Sequence, residues 1–291
     1  VVQTLRNYRL LCPNALFFRD GQVCEDCLGK FVPLPGVMHG CYRESRVAST
    51  AVASMITVHR TLRTWVDMVD IYIALTEFAR QKFIQGGLPA EKIVVKPNFV
   101  NPDPGVGRGS GGYALFVGRL SVEKGLDTLL GAWEQLSEKI PLKIVGEGPL
   151  AAQVESAVER LPSVEWLGRR PMSEVHELMG QAKFLIFPSK WYETFGRVAV
   201  EAFAKGTPVI AADIGAIAEL VDEGRTGVKF QPGDSGDLAS KIEWAASHPQ
   251  QLAQMRLNAR AEFEAKYTAK KNYSRLMEIY NQVQSPAINQ G

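Results

Sequence analysis

Short apolar runs recur along the chain, and a stretch of helical periodicity follows most of them. In the second half the runs fall at 114–117, 143–145, 164–167, 184–187, 209–211 and 228–230. Mostly apolar, they read as strands, and 184–187, apolar throughout, reads as a buried parallel strand. Helical spacing occupies 123–138, 149–160, 172–181, 196–205, 215–222 and 236–247. The second of two helices beyond Asp234 ends near Lys266, a last helix covers 267–284, and 285–291 reads as a frayed end. Alternating strand and helix predicts an α/β fold with a parallel, doubly wound, Rossmann-like sheet that binds ligands at its strand C-terminal ends.

The first half is less regular. Residues 1–5 read as a short strand. A long helix is expected over 43–66, with Val47, Val52, Met55, Val58 and Leu62 along one face and Arg43, Arg46, His59, Arg60 and Arg63 making it basic. Two readings of it stand: the apolar face packs on a sheet and the basic face is solvated, or the helix lies on an anionic membrane surface. A buried strand at 71–75 leads to Thr76, which caps a helix over 77–85 that Gly86 and Gly87 end. Another strand follows at 93–95. The stretch N-P-D-P-G-V-G-R-G-S-G-G at 101–112 has the composition of a flexible linker. It divides an N-terminal domain, 1–100, from a C-terminal one, 113–266, and the last helix and tail cover 267–291.

Composition narrows the classes. The chain has 291 residues, 46% hydrophobic and 22% charged, which are ordinary globular values. A net charge of +2 gives no reason to expect a nucleic-acid partner. No apolar run reaches the roughly 18 residues a membrane span needs. The sequence shows no signal peptide and starts Val1-Val2, which reads as a processed product or a fragment; a cytoplasmic location is expected, with peripheral contact at the inner membrane face as the alternative.

The stretch with the most chemistry is P-S-K-W-Y-E-T-F-G-R-V-A-V-E-A-F-A-K-G-T-P at 188–208. It reads as a strand, a loop and a helix N-terminus, with Glu193 in the loop and Glu201 about two turns into the helix. The first turn of a helix offers unpaired N–H groups and a partial positive charge, which favour a diphosphate. Gly196 lets the backbone approach an anion closely. A carboxylate accepts hydrogen bonds from paired sugar hydroxyls. The chain's four cysteines, Cys12, Cys24, Cys27 and Cys41, include one C-x2-C knuckle; they read either as a structural zinc site or as free, partly buried thiols, with disulfides less expected in a cytosolic protein. Gly146-Glu147-Gly148-Pro149 is a tight strand-to-helix turn. It lacks the third glycine of G-x-G-x-x-G, which excludes a nicotinamide dinucleotide site of that type.

The pattern P-S-x-W-x-E-x-F-G-x-x-x-x-E-A-x-A-x-G-x-P-V-I-A resembles the donor-binding motif of retaining GT-B glycosyltransferases, family 4. The resemblance extends to F-V-G-R-L-x-x-x-K-G at 116–125, I-V-G-E-G-P at 144–149 and E-L-V-D-E-G-R-T-G at 219–227. It also takes in D-x-Y-I-A-L-T-E-F-A-R and K-I-V-V-K-P-N-F-V in the first half. It implies transfer of a sugar from a nucleoside diphosphate sugar, UDP- or GDP-linked, to an acceptor hydroxyl, with no metal required for the chemistry. The acceptor is left open among a glycan, a lipid-linked molecule and a small molecule.

The resemblance places Arg119 and Lys124 on the diphosphate, Glu201 on ribose and Glu193 on the sugar hydroxyls. Phe195 and Gly196 would offer backbone N–H groups, and Gly118, Gly146, Arg170 and Thr194 would complete the donor site. Arg6 stands where the family often has His; it reads as a phosphate or carboxylate fork or as a surface arginine. The resemblance also implies that roughly 70 to 100 residues of the acceptor-side domain are lacking, by comparison with a doubly wound half. A fragment, or a short form completed by homodimerisation, would account for that. Two other classes stay open, a sugar-nucleotide binding module that needs a partner subunit and a nucleotide-sugar hydrolase.

Overall fold

The computed structural model describes residues 1–136 and 140–284. They form two compact units. The first comprises Val1–Asn98, Trp191–Phe195 and residues 270–284; the second comprises Phe99–Lys190 and Gly196–Ala269.

In the first unit β1 (Val2–Thr4) opens a small parallel sheet. The chain then runs to residue 33 with little regular structure beyond an antiparallel pair, β2 (Phe18–Arg19) and β3 (Gln22–Val23). This irregular stretch is held by an aromatic core: Tyr8 packs 4.9 Å from Phe17 and 5.6 Å from Phe83, ring centre to ring centre. The four cysteines lie around it as free thiols lining one cavity of about 10 Å³, beside Arg19. Among the described residues no three His, Cys, Asp or Glu side chains are grouped to hold a metal ion, so the zinc reading of Cys12, Cys24, Cys27 and Cys41 meets no ready ligand set. A fixed cation already stands in this wall, because the Arg19 guanidinium is paired with Asp26 at 2.9 Å.

Helices α1 (Leu34–Met38), α2 (Arg46–Thr61) and α3 (Thr64–Asp67) follow, the last two where one long helix was expected over 43–66. The break is at Arg63, whose φ of +52° is left-handed. Ser45 caps α2 by accepting from the Ala48 amide. The expected buried face is the exposed one: Val47 is 82%, Val58 51% and Leu62 67% accessible. The buried side is the stripe Ser49, Ala53 and Ile56, whose two small members admit a close neighbour. Arg60 extends that stripe and donates to the Lys30, Phe31 and Leu10 carbonyls.

Then come β4 (Ile71–Ala74), α4 (Glu77–Gln85) and β5 (Ile93–Val95). Thr76 caps α4, accepting from the Ala79 amide as its sequence predicts. The sheet order is β1-β4-β5, with Thr4 opposite Ile73 and Ala74 opposite Val95.

The second unit alternates strand and helix throughout. Its elements are β6 (Ala114–Val117), α5 (Leu126–Gln135), β7 (Leu142–Val145), α6 (Ala151–Arg160), β8 (Val164–Trp166), α7 (Met172–Gln181) and β9 (Phe184–Phe187). After them come α8 (Arg197–Ala204), β10 (Val209–Ala212), α9 (Gly215–Leu220), β11 (Gly227–Phe230), α10 (Ser235–Ser247) and α11 (Pro249–Lys266). The helix expected over 123–138 begins with a tight 3-10 turn at Val122–Lys124, and residues 137–139 lie outside the described ones. All six strands are parallel, in the order β11-β10-β9-β6-β7-β8. The chain therefore winds outward from β6 in one direction and from β9 in the other. The crevice beyond the C-terminal ends of β6 and β9 is the switch point, where open α/β sheets bind ligands. The helices that cover the sheet are apolar on their inner faces. Trp133 on α5 is fully packed, its indole N–H donating to the Ile140 carbonyl at 3.0 Å.

The last helix, α12 (Ala269–Gln284), belongs from Lys270 to the first unit. Its buried Asn272 accepts from Lys96 Nζ at 3.0 Å and donates to the Pro97 carbonyl at 2.6 Å. The tail expected to fray, 285–291, lies outside the described residues.

Candidate functional site

Glycine packing builds the switch point. Gly146, at the end of β7, has φ +142°, and a Cβ there would lie 1.8 Å from the Gly118 carbonyl oxygen. The loop after β7 thus presses onto the end of β6 as only glycine permits. Gly125 does the same on the other side: a Cβ on it would lie 1.9 Å from the Pro188 carbonyl oxygen. The turn that carries Lys124 is in this way clamped against the loop after β9. The Lys190 amide adds a bond to the Glu123 carbonyl at 2.9 Å, and Lys190 Nζ pairs with Asp127 at 2.6 Å.

Two cations follow β6 here. Arg119 is exposed, and Lys124 is half-buried with Nζ 5.9 Å from the centre of the Phe187 ring. Across the crevice, after β9, Gly196 starts α8 with φ +96° and no side-chain cap. A Cβ on Gly196 would meet Leu220 Cδ1 at 3.1 Å and Ile217 Cδ1 at 3.3 Å, a tight fit to which these side-chain ends would have to give, so it is the positive φ that calls for glycine. With no side chain over it, the positive end of α8 is open to an anion.

Just over one turn into α8, rather than the two turns expected, Glu201 is 2% exposed. Arg197 reaches back from the first turn and pairs with it, Nε to Oε1, at 2.8 Å. Burial pushes the Glu201 carboxyl above its ordinary range, and Arg197 pulls it part of the way back. A desolvated carboxylate with a directional acceptor is thus held beside an open helix N-terminus.

Arg170 is not gathered with these groups. It follows the edge strand β8, two strands from β6, with Nε 3.9 Å from Glu174 in the wall of a cavity of about 430 Å³.

Residues Trp191–Phe195 pack with the first unit. The Tyr8 hydroxyl donates to the Glu193 carbonyl at 3.3 Å, the Thr194 hydroxyl to the Arg6 carbonyl at 3.1 Å and the Thr76 hydroxyl to the Thr194 carbonyl at 3.4 Å. Tyr192 lies edge-on to Phe17 and Phe78, with Lys82 Nζ 5.2 Å from its ring centre. Glu193 is buried, and its Oε1 accepts from the Trp191 indole at 2.9 Å. Phe195, also buried, passes the chain on to Gly196.

Two charged residues here were not singled out in the sequence. Arg197 could have been found, because Arg and Glu four apart on a helix are neighbours. Lys96 carried no such signal: its burial, at 8% exposure, follows from the last helix closing over it.

Known proteins give this arrangement a family. Residues 107–262 match the family described as glycosyl transferases group 1. An uncharacterized glycosyltransferase of Methanocaldococcus jannaschii is 30% identical over 194 residues, 66% of this chain and 54% of that protein. The D-inositol 3-phosphate glycosyltransferase of Gordonia bronchialis is 30% identical over 267 residues, covering 80% of this chain and 57% of its own. The chain thus spans about half the length of these curated relatives.

Among solved structures, Anabaena Alr3699/HepE in complex with UDP and glucose superposes with a TM-score of 0.67 at 24% identity, over 81% of this chain and 75% of that one. Sucrose-phosphate synthase of Thermosynechococcus elongatus gives 0.70 at 21% identity, over 85% and 65%. At such identities the likeness is one of fold, and the fold is the GT-B type. The match over more than half of the sequence, spanning every strand of the switch-point sheet, decides the assignment: the chain belongs to the glycosyl transferases group 1 family.

Proposed function

We propose that the chain binds a nucleoside diphosphate sugar at the switch point of the second unit and transfers the sugar, with retained configuration, to an acceptor hydroxyl. One observation carries the reading: two cations after β6 and an uncapped helix N-terminus after β9 converge on one crevice, with the buried carboxylate of Glu201 behind it. Arg119 and Lys124 would neutralise the diphosphate as the glycosidic bond breaks. The backbone N–H groups of Phe195 and Gly196 would bind phosphate oxygens, and Glu201 would accept from the ribose hydroxyls. Glu193 is assigned the sugar hydroxyls, and Gly118 and Gly146 allow close approach. Arg170 and Thr194 keep peripheral donor-side roles. The Anabaena neighbour, described in complex with UDP and glucose, supports a UDP-linked donor, with GDP as the alternative base. On this reading the first unit is the acceptor side and the chemistry needs no metal. The chain would work in the cytoplasm, with contact at the inner membrane face and homodimerisation as further elements.

The test is to incubate the purified chain with UDP-, GDP- and ADP-sugars and to follow both nucleotide release and sugar transfer. Release and transfer with one donor, lost in Lys124→Ala while nucleotide affinity holds, is the expected result. Failure to bind any nucleotide would sink the proposal. Binding without release would favour a binding module completed by a partner. Release of free sugar with no acceptor present would indicate a hydrolase.

A further inference from the structure

The C-terminal end of the small sheet in the first unit carries an arrangement of charge that the donor chemistry does not use. Arg6 stands just past β1, whose register continues through the Leu5 amide to the Ile73 carbonyl at 2.9 Å. Lys96 stands just past β5, its amide bonded to the Ala74 carbonyl at 2.9 Å. The two residues therefore flank the end of β4, one strand away on each side. Strands in a sheet are about 4.8 Å apart, so these backbones are about 10 Å apart, within reach of two long cationic side chains. Arg6 is exposed, whereas Lys96 is 8% exposed.

Neither cation has a carboxylate partner among the described residues. Lys96 Nζ is met by the neutral Asn272 Oδ1 at 3.0 Å. Of the nearby acids, Glu77 bonds Arg80 at 2.9 Å and Gln81 at 2.6 Å, and Glu193 accepts from the Trp191 indole. A buried ammonium is costly unless a negative charge compensates it, and a second cation beside it raises that cost. The charge of Arg6 does act on Lys96: burial, and after it Arg6, lower the lysine's proton affinity. Two such charges left together at the ligand-binding end of parallel strands form a site for an anion. A planar fork beside a point charge suits a phosphate group.

We propose that Arg6 and Lys96, with Asn272 orienting the lysine, bind a phosphate group on the sugar acceptor, so that the acceptor is an anionic, phosphate-bearing molecule. The proposal rests on the reading of the first unit as the acceptor side. It assigns Lys96 a binding role, and Asn272 acts only by positioning it.

The experiment uses the full chain and two simple probes, inorganic phosphate and glycerol phosphate. Each is titrated by calorimetry, alone and with UDP at saturation. The expected result is saturable binding of both probes that persists with UDP bound. It weakens at least about tenfold in Arg6→Gln and Lys96→Met, as expected for loss of a charge-assisted contact, while UDP affinity stays as in the wild type. Arg6 is exposed, so Arg6→Gln keeps the test valid even where Lys96→Met disturbs folding. Unchanged phosphate affinity in Arg6→Gln overturns the site. Loss of probe binding when UDP is added shows that the anion is the donor's own diphosphate and overturns the acceptor assignment. A chain that binds phosphate through these residues but binds no nucleotide leaves the anion site standing and refutes the glycosyl-transfer reading instead.

Discussion

Glu201→Gln separates what the buried carboxylate does for a ligand from what it costs the fold. The side chain is 3% exposed and its partner Arg197 is 66% exposed, so solvent screens the pairing while burial acts in full on the carboxylate. A carboxyl raised above its ordinary value holds its proton more tightly in the folded state than in the unfolded state. Stability is therefore lost as pH rises from the ordinary carboxylate range through the raised value, and at neutral pH the charge is a net cost. Glutamine keeps the volume and an acceptor oxygen for Arg197 Nε. Removing the buried charge should stabilise the second unit by about 1 kcal/mol, the low end for a buried ion, because its partner is already wet. For a unit of this size that raises Tm by about 2–4 °C.

Nucleotide affinity should move the other way. Hydrogen bonds to a charged acceptor contribute about 1.5–3 kcal/mol, so UDP should bind about 10- to 150-fold more weakly. Wild-type affinity should also fall in mild acid, as the carboxylate protonates, whereas the variant should be flat over the same range. Calorimetric titration with UDP and thermal unfolding at neutral pH, on both proteins, read all three effects. Equal UDP affinity in the two proteins removes the ribose assignment. A lower Tm in the variant refutes the argument that burial makes this charge costly.

Three further outcomes follow from the same geometry. Gly146→Ala should lose more than about 3 kcal/mol, because backbone strain adds to a clash with the Gly118 carbonyl; Gly168→Ala, with φ +67° and nothing within 4 Å, should lose only about 1–2 kcal/mol in urea unfolding. On α2, Val47→Lys should stay within about 0.5 kcal/mol of wild type, whereas Ile56→Ala at a fully buried position should cost about 2–5 kcal/mol; the opposite ranking would restore the face expected from sequence. Glu262 is buried, which alone would raise its carboxyl, but Lys266 at 2.6 Å and Arg225 at 2.5 Å outweigh that and hold it below its ordinary value. Its contribution is present above the ordinary carboxylate range and is lost as pH falls through the lowered value, so Tm should drop more steeply between about pH 5 and 3 in wild type than in Glu262→Gln.

The limits of the sequence reading have physical causes. The strands of the second unit were legible because β6, β9 and β10 are apolar throughout, as burial on both faces demands, and β7, β8 and β11 carry only one charged residue each. α2 misled because it carries two stripes at helical spacing, one through Val47, Val52, Met55, Val58 and Leu62 and one through Ser49, Ala53 and Ile56. Hydrophobicity favours the first stripe, but the structure buries the second, where Ser49 and Ala53 let neighbours approach and Ile56 fills the core. The break at Arg63 was hidden for a similar reason, since a left-handed arginine has no marker comparable to glycine. Pairs close in sequence, such as Arg197 with Glu201, are recoverable from spacing. Pairs such as Lys96 with Asn272 depend on where the last helix packs.

The site itself shows the difference most clearly. Apart from the family resemblance, which gathers them on one donor, Arg119, Lys124, Gly196 and Glu201 are separate marks on two distant strand–helix units, and nothing local says that these units are neighbours. Adjacency comes from sheet order: β6 pairs directly with β9, Ala114 opposite Phe184, because the chain reverses its winding between β8 and β9. Without that reversal β9 would lie beyond β8, and Gly196 would open three strands from Arg119. Motif spacing therefore supplies the chemical groups, and the topological switch supplies their convergence. The two kinds of evidence support the nucleotide site independently: the first would survive a changed strand order, whereas the second would survive loss of any single motif residue.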